Sequence, residues 1–196
     1  NYQITEKISL FGDMQLRNVH YKANSWETGV VNDNFNFFNP KAGLNYDING
    51  KNKLYFSYAK ANREPNRTDY ENGSPKPEKL NDFELGWRFK TAKSQLNVNG
   101  YYMRYKDQLV LTGGVDDVGS PIRQNSGDSY RLGVEVDASL KLSKNWTIAP
   151  NFTVSSNKNV DFISDVNGTL TNLGNTNIAY SPEFIAGNML TFAPIT

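Results

Sequence analysis

Cysteine is absent from the 196 residues, so neither a disulfide nor a thiolate metal site holds this chain together. Histidine occurs once, at His20, and no cluster of histidine and carboxylates shows ligand spacing, so no metal and no cofactor are expected. A lone histidine near a strand end reads as a surface or girdle residue. No GxSxG, HExxH, Walker loop or dinucleotide fingerprint is present, which removes the commonest enzyme classes. No apolar run approaches the ~20 residues that a membrane-spanning helix needs. Charge of one sign is also missing: 21 basic and 20 acidic residues leave a net charge of +1, with no basic excess to draw nucleic acid. The opening Asn1-Tyr2-Gln3 carries no signal peptide and reads as the middle of a longer protein.

Aromatic residues are plentiful, with eleven Tyr, eleven Phe and three Trp. Their placement is clearest in Asp82 to Lys90. Phe83, Leu85, Trp87 and Phe89 share one face. Asp82, Glu84, Gly86, Arg88 and Lys90 share the other. A period of two is a β-strand, and faces this unlike suit a strand between lipid and a wet lumen. A mean hydropathy of −0.62 is compatible with that, because such strands average to a polar composition.

The same alternation recurs in Ile8 to Arg17, Phe38 to Ile48, Leu54 to Ala59, Leu96 to about Leu111 (blurred after Arg104), Arg131 to Leu140 and Trp146 to Val154. It is least clean in about Ile178 to Phe192, whose outward face the pattern does not settle. Pro40 cannot donate to a ladder, so it is expected near a strand end or bulge. Short turns are expected at Asn49-Gly50-Lys51-Asn52, Thr91-Ala92-Lys93 and Ser143-Lys144-Asn145. Long loops are expected at Asn24 to Asn36, Glu64 to Lys76, Gly113 to Gly127 and Asn159 to Asn177. All the long loops then fall on one rim. That is the pattern of outer-membrane barrels, with long extracellular loops and short periplasmic turns. Tyr46, Tyr55, Phe89 and Trp146 lie near the short turns and suit a periplasmic aromatic girdle. The expected class is all-β: an antiparallel up-and-down transmembrane barrel, of which about eight strands are present.

The polar faces carry Asp13, Arg17, Lys41, Asp47, Asp82, Glu84, Arg88, Arg131, Glu135 and Asp137. Glu135 and Asp137, two apart on one face, are ordinary lumen decoration rather than an acid/base pair. Asp116-Asp117 reads as a solvated acidic pair. Five Asn-x-Ser/Thr matches, at Asn66, Asn72, Asn145, Asn151 and Asn167, are the chance yield of an Asn-rich chain.

Three stretches resemble the C-terminal half of TonB-dependent outer-membrane receptors. Tyr58-Ala59-Lys60-Ala61-Asn62-Arg63-Glu64-Pro65 resembles that family's strand-end segment with Arg-x-Pro, with Asn62 where an aromatic usually precedes the Arg. Lys76-Pro77-Glu78-Lys79-Leu80 followed by Phe83-Glu84-Leu85-Gly86 resembles its Pro-Glu segment leading to aromatic-Glu-Leu-Gly. Asn125-x-Gly127, Arg131 and Gly133-Val134-Glu135 resemble its Asn-x-Gly…Arg…Gly-Val-Glu strand. The Asn- and Lys-rich style suggests a Bacteroidetes-type receptor.

The resemblance implies a segment, residues 1–196, of a 22-stranded barrel plugged by an N-terminal domain. Plug, TonB-contacting region and final strands would lie outside the segment. Such receptors sit in the Gram-negative outer membrane. They bind scarce nutrients (siderophore, haem, cobalamin or glycan) and import them with energy passed through TonB. The implied partners are outer-membrane lipid, the protein's own plug domain, the TonB complex and a small nutrient, with no nucleic acid. Glu78, Glu84, Arg88 and Glu135 are expected to face the lumen and help seat the plug, with Arg63 near the outer rim. Trp26, Phe35, Tyr70 and Phe162 on the long loops are the expected ligand contacts.

Two other readings compete. A complete eight-stranded outer-membrane barrel would serve as an adhesin or structural anchor. A soluble β-protein binding ligand between its sheets would leave its aromatic faces as large exposed patches.

Overall fold

Chain with a period of two pairs edge to edge, because each strand's backbone groups need partners that its own segment cannot supply. The computed structural model describes residues 1–71, 73, 75–115, 119, 121–125, 127–166 and 169–194. Its elements in chain order are β1 (Tyr2–Gln3), β2 (Ile8–Ser25), β3 (Gly29–Asn49), β4 (Asn52–Arg63), α1 (Arg67–Tyr70), β5 (Glu78–Lys90), β6 (Ser94–Lys106), β7 (Leu109–Val115), β8 (Pro121–Asn125), β9 (Asp128–Lys141), β10 (Trp146–Val160), β11 (Ile163–Val166), β12 (Thr169–Asn172), β13 (Thr176–Asn177) and β14 (Phe184–Phe192). One antiparallel sheet runs β1-β2-β3-β4-β5-β6-β9-β10, with β14 against the lower part of β10 and β13 against its top. β7–β8 and β11–β12 are separate hairpins set into the long connections. The turns at 50–51, 91–93 and 142–145 mark the lower end of the sheet.

Register carries the sequence pattern across the strands. Leu10, Leu44, Phe56, Leu85, Gly100, Val134, Val154 and Phe184 lie side by side in one row through the eight long strands. All of these except Gly100 remain exposed, Leu85 to 61%. An apolar row left open to the surroundings needs an apolar medium or a partner. The opposite face carries, by the same register, Asp13, Lys41, Asp82 and Arg131 in one row, and Glu84 and Glu135 in the rows beneath. The faces of Asp82 to Lys90 fall as the sequence predicts. The last strand is settled by its pairing with β10, which sets Phe184, Ala186, Leu190 and Phe192 on the apolar face beside Val154, Phe152, Ile148 and Trp146. The sheet is not closed: β14 pairs only with β10 among the described residues.

The structure corrects several expectations. Asn24 to Asn36 is not a polar loop. β2 and β3 stay paired up to Ser25 and Gly29, leaving residues 26–28 as the turn. The period of two persists there, but amides on one side and mixed residues on the other hide it. The connection at 113–127 contains part of β7 and β8, and that at 159–177 contains β11, β12 and β13. β6 ends at Lys106 rather than running on to Leu111. Pro40 stands inside β3, not at its end, one residue above the last β3–β4 pair, Lys41 with Ala59. A residue with no N–H suits the place where a ladder stops. Tyr55 faces the polar side and so leaves the girdle, whereas Tyr46 and Trp146 are exposed on the apolar side. Asp116 and Asp117 lie outside the described residues.

Candidate functional site

Among the described residues the polar face gathers charged groups in adjacent rows, and it is built in two tiers. The lower tier rests on bare backbone. The Phe11 ring lies over Gly43, Tyr55 over Gly86 and Tyr101 over Gly133, so close that a Cβ on those glycines would meet the rings at 2.1, 2.1 and 2.7 Å. Each ring therefore lies down on the neighbouring strand. Arg88 then stacks its guanidinium over the Tyr55 ring, 4.4 Å from the centroid. Arg131 does the same over Tyr105 at 5.3 Å. Stacking holds a guanidinium without using its donors.

Glu84 stands opposite Ser57 and Tyr101, and Glu135 opposite Asn99 and Thr153. Asp82 Oδ1, Asn99 Oδ1 and Arg131 Nε are buried without a hydrogen-bond partner. Unpaired polar atoms of both signs on one surface form a template for another polar surface. The chemistry available is recognition. Among the described residues no three His, Asp or Glu side chains gather as a metal site.

The upper tier is a clasp between the segment 64–71 and the β2–β3 ribbon. Asn66 caps α1 through a reciprocal capping box with Asp69. That turn delivers Tyr70 flat against Tyr21, centroids 5.1 Å apart and planes 4° from parallel. The Tyr70 hydroxyl donates to Asp33 Oδ2 at 2.7 Å. Burial, then the Asp33 carboxylate, push this phenol well above its usual range. Below it Arg17 bridges Glu64 with both terminal nitrogens and donates to the Asn62 carbonyl at 3.1 Å. Arg17 also lies over Phe37, which stacks on Phe35. On the β5 side, Arg63 Nε donates to Glu78 Oε2 at 2.7 Å, while Glu78 Oε1 accepts the Leu109 N–H at 2.6 Å. Asn125 accepts the Lys76 N–H at 2.8 Å and donates to the Lys76 carbonyl at 3.0 Å, tying the two long connections together.

The expected site residues are thus distributed unevenly. Glu84, Arg88 and Glu135 share the lower tier. Arg63 and Glu78 pair with each other at its upper border. Phe35 and Tyr70 belong to the clasp, Tyr70 being 6% exposed. Phe162 is 8% exposed, closed in by backbone bonds to Leu173 and Gly174. Trp26 stands 99% exposed in the ribbon's turn, away from the others. Arg17, Asp33, Tyr21 and Asn125 were missed as site residues. For Arg17, Tyr21 and Asp33 the available signal was parity along β2 and β3, once those strands are known to continue.

Residues 1–194 match the family described as TonB dependent receptor-like, beta-barrel. The chain is 27% identical over 139 residues to the ferric-pyoverdine 358 receptor of Pseudomonas putida, covering 69% of this chain and 16% of the receptor. It superposes on the siderophore receptor PiuA of Acinetobacter baumannii with a TM-score of 0.71, at 18% identity, over 97% of this chain and 29% of PiuA. The ferric yersiniabactin uptake receptor FyuA of Yersinia pestis gives a TM-score of 0.67, at 18% identity, over 98% of this chain and 30% of FyuA. The chain therefore spans a third or less of the length of these proteins.

Proposed function

This chain belongs to the TonB-dependent receptor β-barrel family, and from that premise we propose that it is part of an outer-membrane transporter that binds a scarce nutrient and imports it, a ferric siderophore being the first class to test. The carrying observation is the family match from residue 1 to 194 on a sheet with one apolar exposed face and one polar face. The apolar face is the lipid-facing outside, and the polar face lines the lumen. Glu84, Arg88 and Glu135, with Asp82 and Arg131 beside them, seat the plug domain. Arg63 and Glu78 border that seat. Phe35 and Tyr70, with Phe162 and Trp26 on the neighbouring connections, belong to the extracellular rim that meets the nutrient. TonB acts through a region outside these residues. That the relatives named above are receptors for ferric pyoverdine, ferric yersiniabactin and another siderophore supports the siderophore class. The family consists of receptors and transporters rather than enzymes.

A complete eight-stranded barrel is not favoured, since β2 and β14 do not pair with each other to close the sheet.

The test is uptake of radiolabelled iron by cells carrying the full-length protein, offered a panel of ferric siderophores under iron limitation. Uptake above the deletion strain that disappears when TonB is removed is the expected result. Equal uptake by deletion and wild-type strains for every siderophore, with haem, cobalamin and glycans equally inert, would sink the reading.

A further inference from the structure

The function proposed above does not use the backbone of the ribbon's upper end. In an antiparallel strand each residue points its N–H and C=O to one side, and the next residue points them to the other. The Asp47 N–H of β3 bonds the Lys7 carbonyl, on the β2 side, at 2.8 Å. The Phe38 carbonyl accepts from the Asn62 amide, on the β4 side, at 3.3 Å. Odd residues of β3 therefore face β2, and even residues face the side where β4 stands lower down. β2 stays paired with β3 up to Gly29. β4 leaves β3 after the Lys41–Ala59 pair and continues against β5 alone. Val30, Asn32, Asn34 and Asn36 are left with their backbone groups turned to an open edge, where no backbone partner meets them among the described residues. Pro40 has no N–H to point to that side and closes the lower end of the edge. Solvent-facing edges are ordinarily guarded by lysine, proline or a bulge. Val30 to Phe38 holds neither lysine nor proline, and its register with β2 is unbroken. Its one charged residue, Asp33, is engaged by the Tyr70 hydroxyl. The clasp meets the polar face of the ribbon at Arg17, Tyr21 and Asp33, not its edge. β3 already has both its sheet neighbours, β2 and β4, so a further barrel strand has no place here.

Donors and acceptors that repeat along this edge every second residue, about 6.7 Å apart, are matched by the backbone of another extended polypeptide. The two sides of the edge set the side chains such a strand needs. Asn32, Asn34 and Asn36 line the outward side, bonded to His20 and Asn18. Phe35 and Phe37 stack on the polar side. We propose that the β3 edge from Val30 to Asn36 takes an extended segment of another protein as an added strand, one that alternates amide or hydroxyl side chains with apolar ones. The amides continue the asparagine row, and the apolar side chains pack beside Phe35 and Phe37. Only the location outside the cell rests on the outer-membrane reading above.

The experiment is fluorescence anisotropy on the full-length protein in detergent, with a labelled peptide that alternates asparagine and valine between terminal lysines. Saturable binding is expected for this peptide and none for the same peptide methylated on its backbone nitrogens. Asn34→Pro removes one edge-facing N–H and leaves the bonds to β2 in place, so affinity should fall about tenfold or more. Asn34→Ala removes the side chain but keeps that N–H, and should stay within about threefold of wild type. Heat-modifiable gel mobility checks that each variant is folded; if Asn34→Pro does not fold, the methylated peptide on wild type decides. Equal binding of the two peptides, saturable binding of neither, or equal affinity of Asn34→Pro and wild type would overturn the added strand. A dimeric wild type beside a monomeric Asn34→Pro in sedimentation would give the edge to a second copy and overturn it too. Uptake is read separately: lost uptake with intact peptide binding defeats the transport reading alone, and lost peptide binding with intact uptake defeats the added strand alone.

Discussion

The β2–β3 ribbon and the β9–β10 pair are both antiparallel, both long and both period-two, yet their upper ends differ. Above Lys41 the ribbon has no third strand, because the β3–β4 ladder stops there. Its outward residues are amides that satisfy one another: Asn18 donates to Asn34 and Asn36 at 2.8 Å each, and His20 bonds Asn32 at 2.8 Å. The β9–β10 pair keeps β6 beside it up to Lys106 and Asp128, and the long connections cover its polar face. Gln108, Ser129, Asn157 and Asn159 are buried there, Asn159 to 4% exposure. A strand's neighbours, more than its own pattern, decide whether its polar residues face solvent or become buried.

The comparison breaks most readily where the sheet has no slack. Gly133→Val would push into the Tyr101 ring and against the Val154 carbonyl, 2.8 Å from the added Cβ. The expected cost is about 3 kcal/mol, read as a lower denaturant midpoint for the full-length protein in lipid vesicles. Adding Tyr101→Ala frees the ring but not the carbonyl, so less than half of the loss should return. No change in midpoint would show that the β9–β10 side is as accommodating as the ribbon.

Arg17→Ala tests the clasp at its base. Both partners are partly open to solvent, 36% for Arg17 and 25% for Glu64, so the expected loss is about 1 kcal/mol. Amide exchange should quicken in residues 64–71 and stay unchanged in β9 and β10. Exchange that quickens across the whole sheet would mean that the clasp and the sheet are one cooperative unit.

Much of this fold was legible because apolar and polar residues alternate strictly wherever the two faces of the sheet have unlike surroundings. Asp82 to Lys90 is readable for that reason. The ribbon was not, because Asn18, His20, Asn34 and Asn36 remove the contrast while leaving the backbone paired. Tyr55 was misassigned by its nearness to a turn, although parity with Leu54 and Phe56 already placed it on the other face. Of the site, Glu84, Arg88 and Glu135 stood out through charge on a periodic strand. The clasp did not, because Tyr70 meets Asp33 and Arg17 meets Glu64 across spans of 37 and 47 residues that no local pattern announces.

Tyr70→Phe keeps the stack on Tyr21 and removes only the bond to Asp33. Opening of α1 should become a few-fold more frequent, for a loss of about 1 kcal/mol or less, read as faster trypsin cleavage at Arg67. The same contact gives a pH signature. The folded state favours the neutral phenol, so its contribution is complete below about pH 10, the ordinary tyrosine value, and fades as pH rises through the raised folded value. In an absorbance titration, the phenol lost in the variant should be among the last to ionise. If it ionises with the exposed tyrosines, the clasp is open in solution.

The smallest effect on stability is expected at Trp26. Its side chain is almost wholly exposed in the ribbon's turn and touches no part of the clasp, so Trp26→Ala should change stability by less than about 0.5 kcal/mol. That makes it the cleanest probe of the rim. A fall in nutrient affinity in this variant, with an unchanged denaturant midpoint, would make the ribbon a binding arm whose exposure serves contact. Unchanged affinity would assign recognition to the Phe35–Tyr70 side, where the clasp holds the aromatic groups in place.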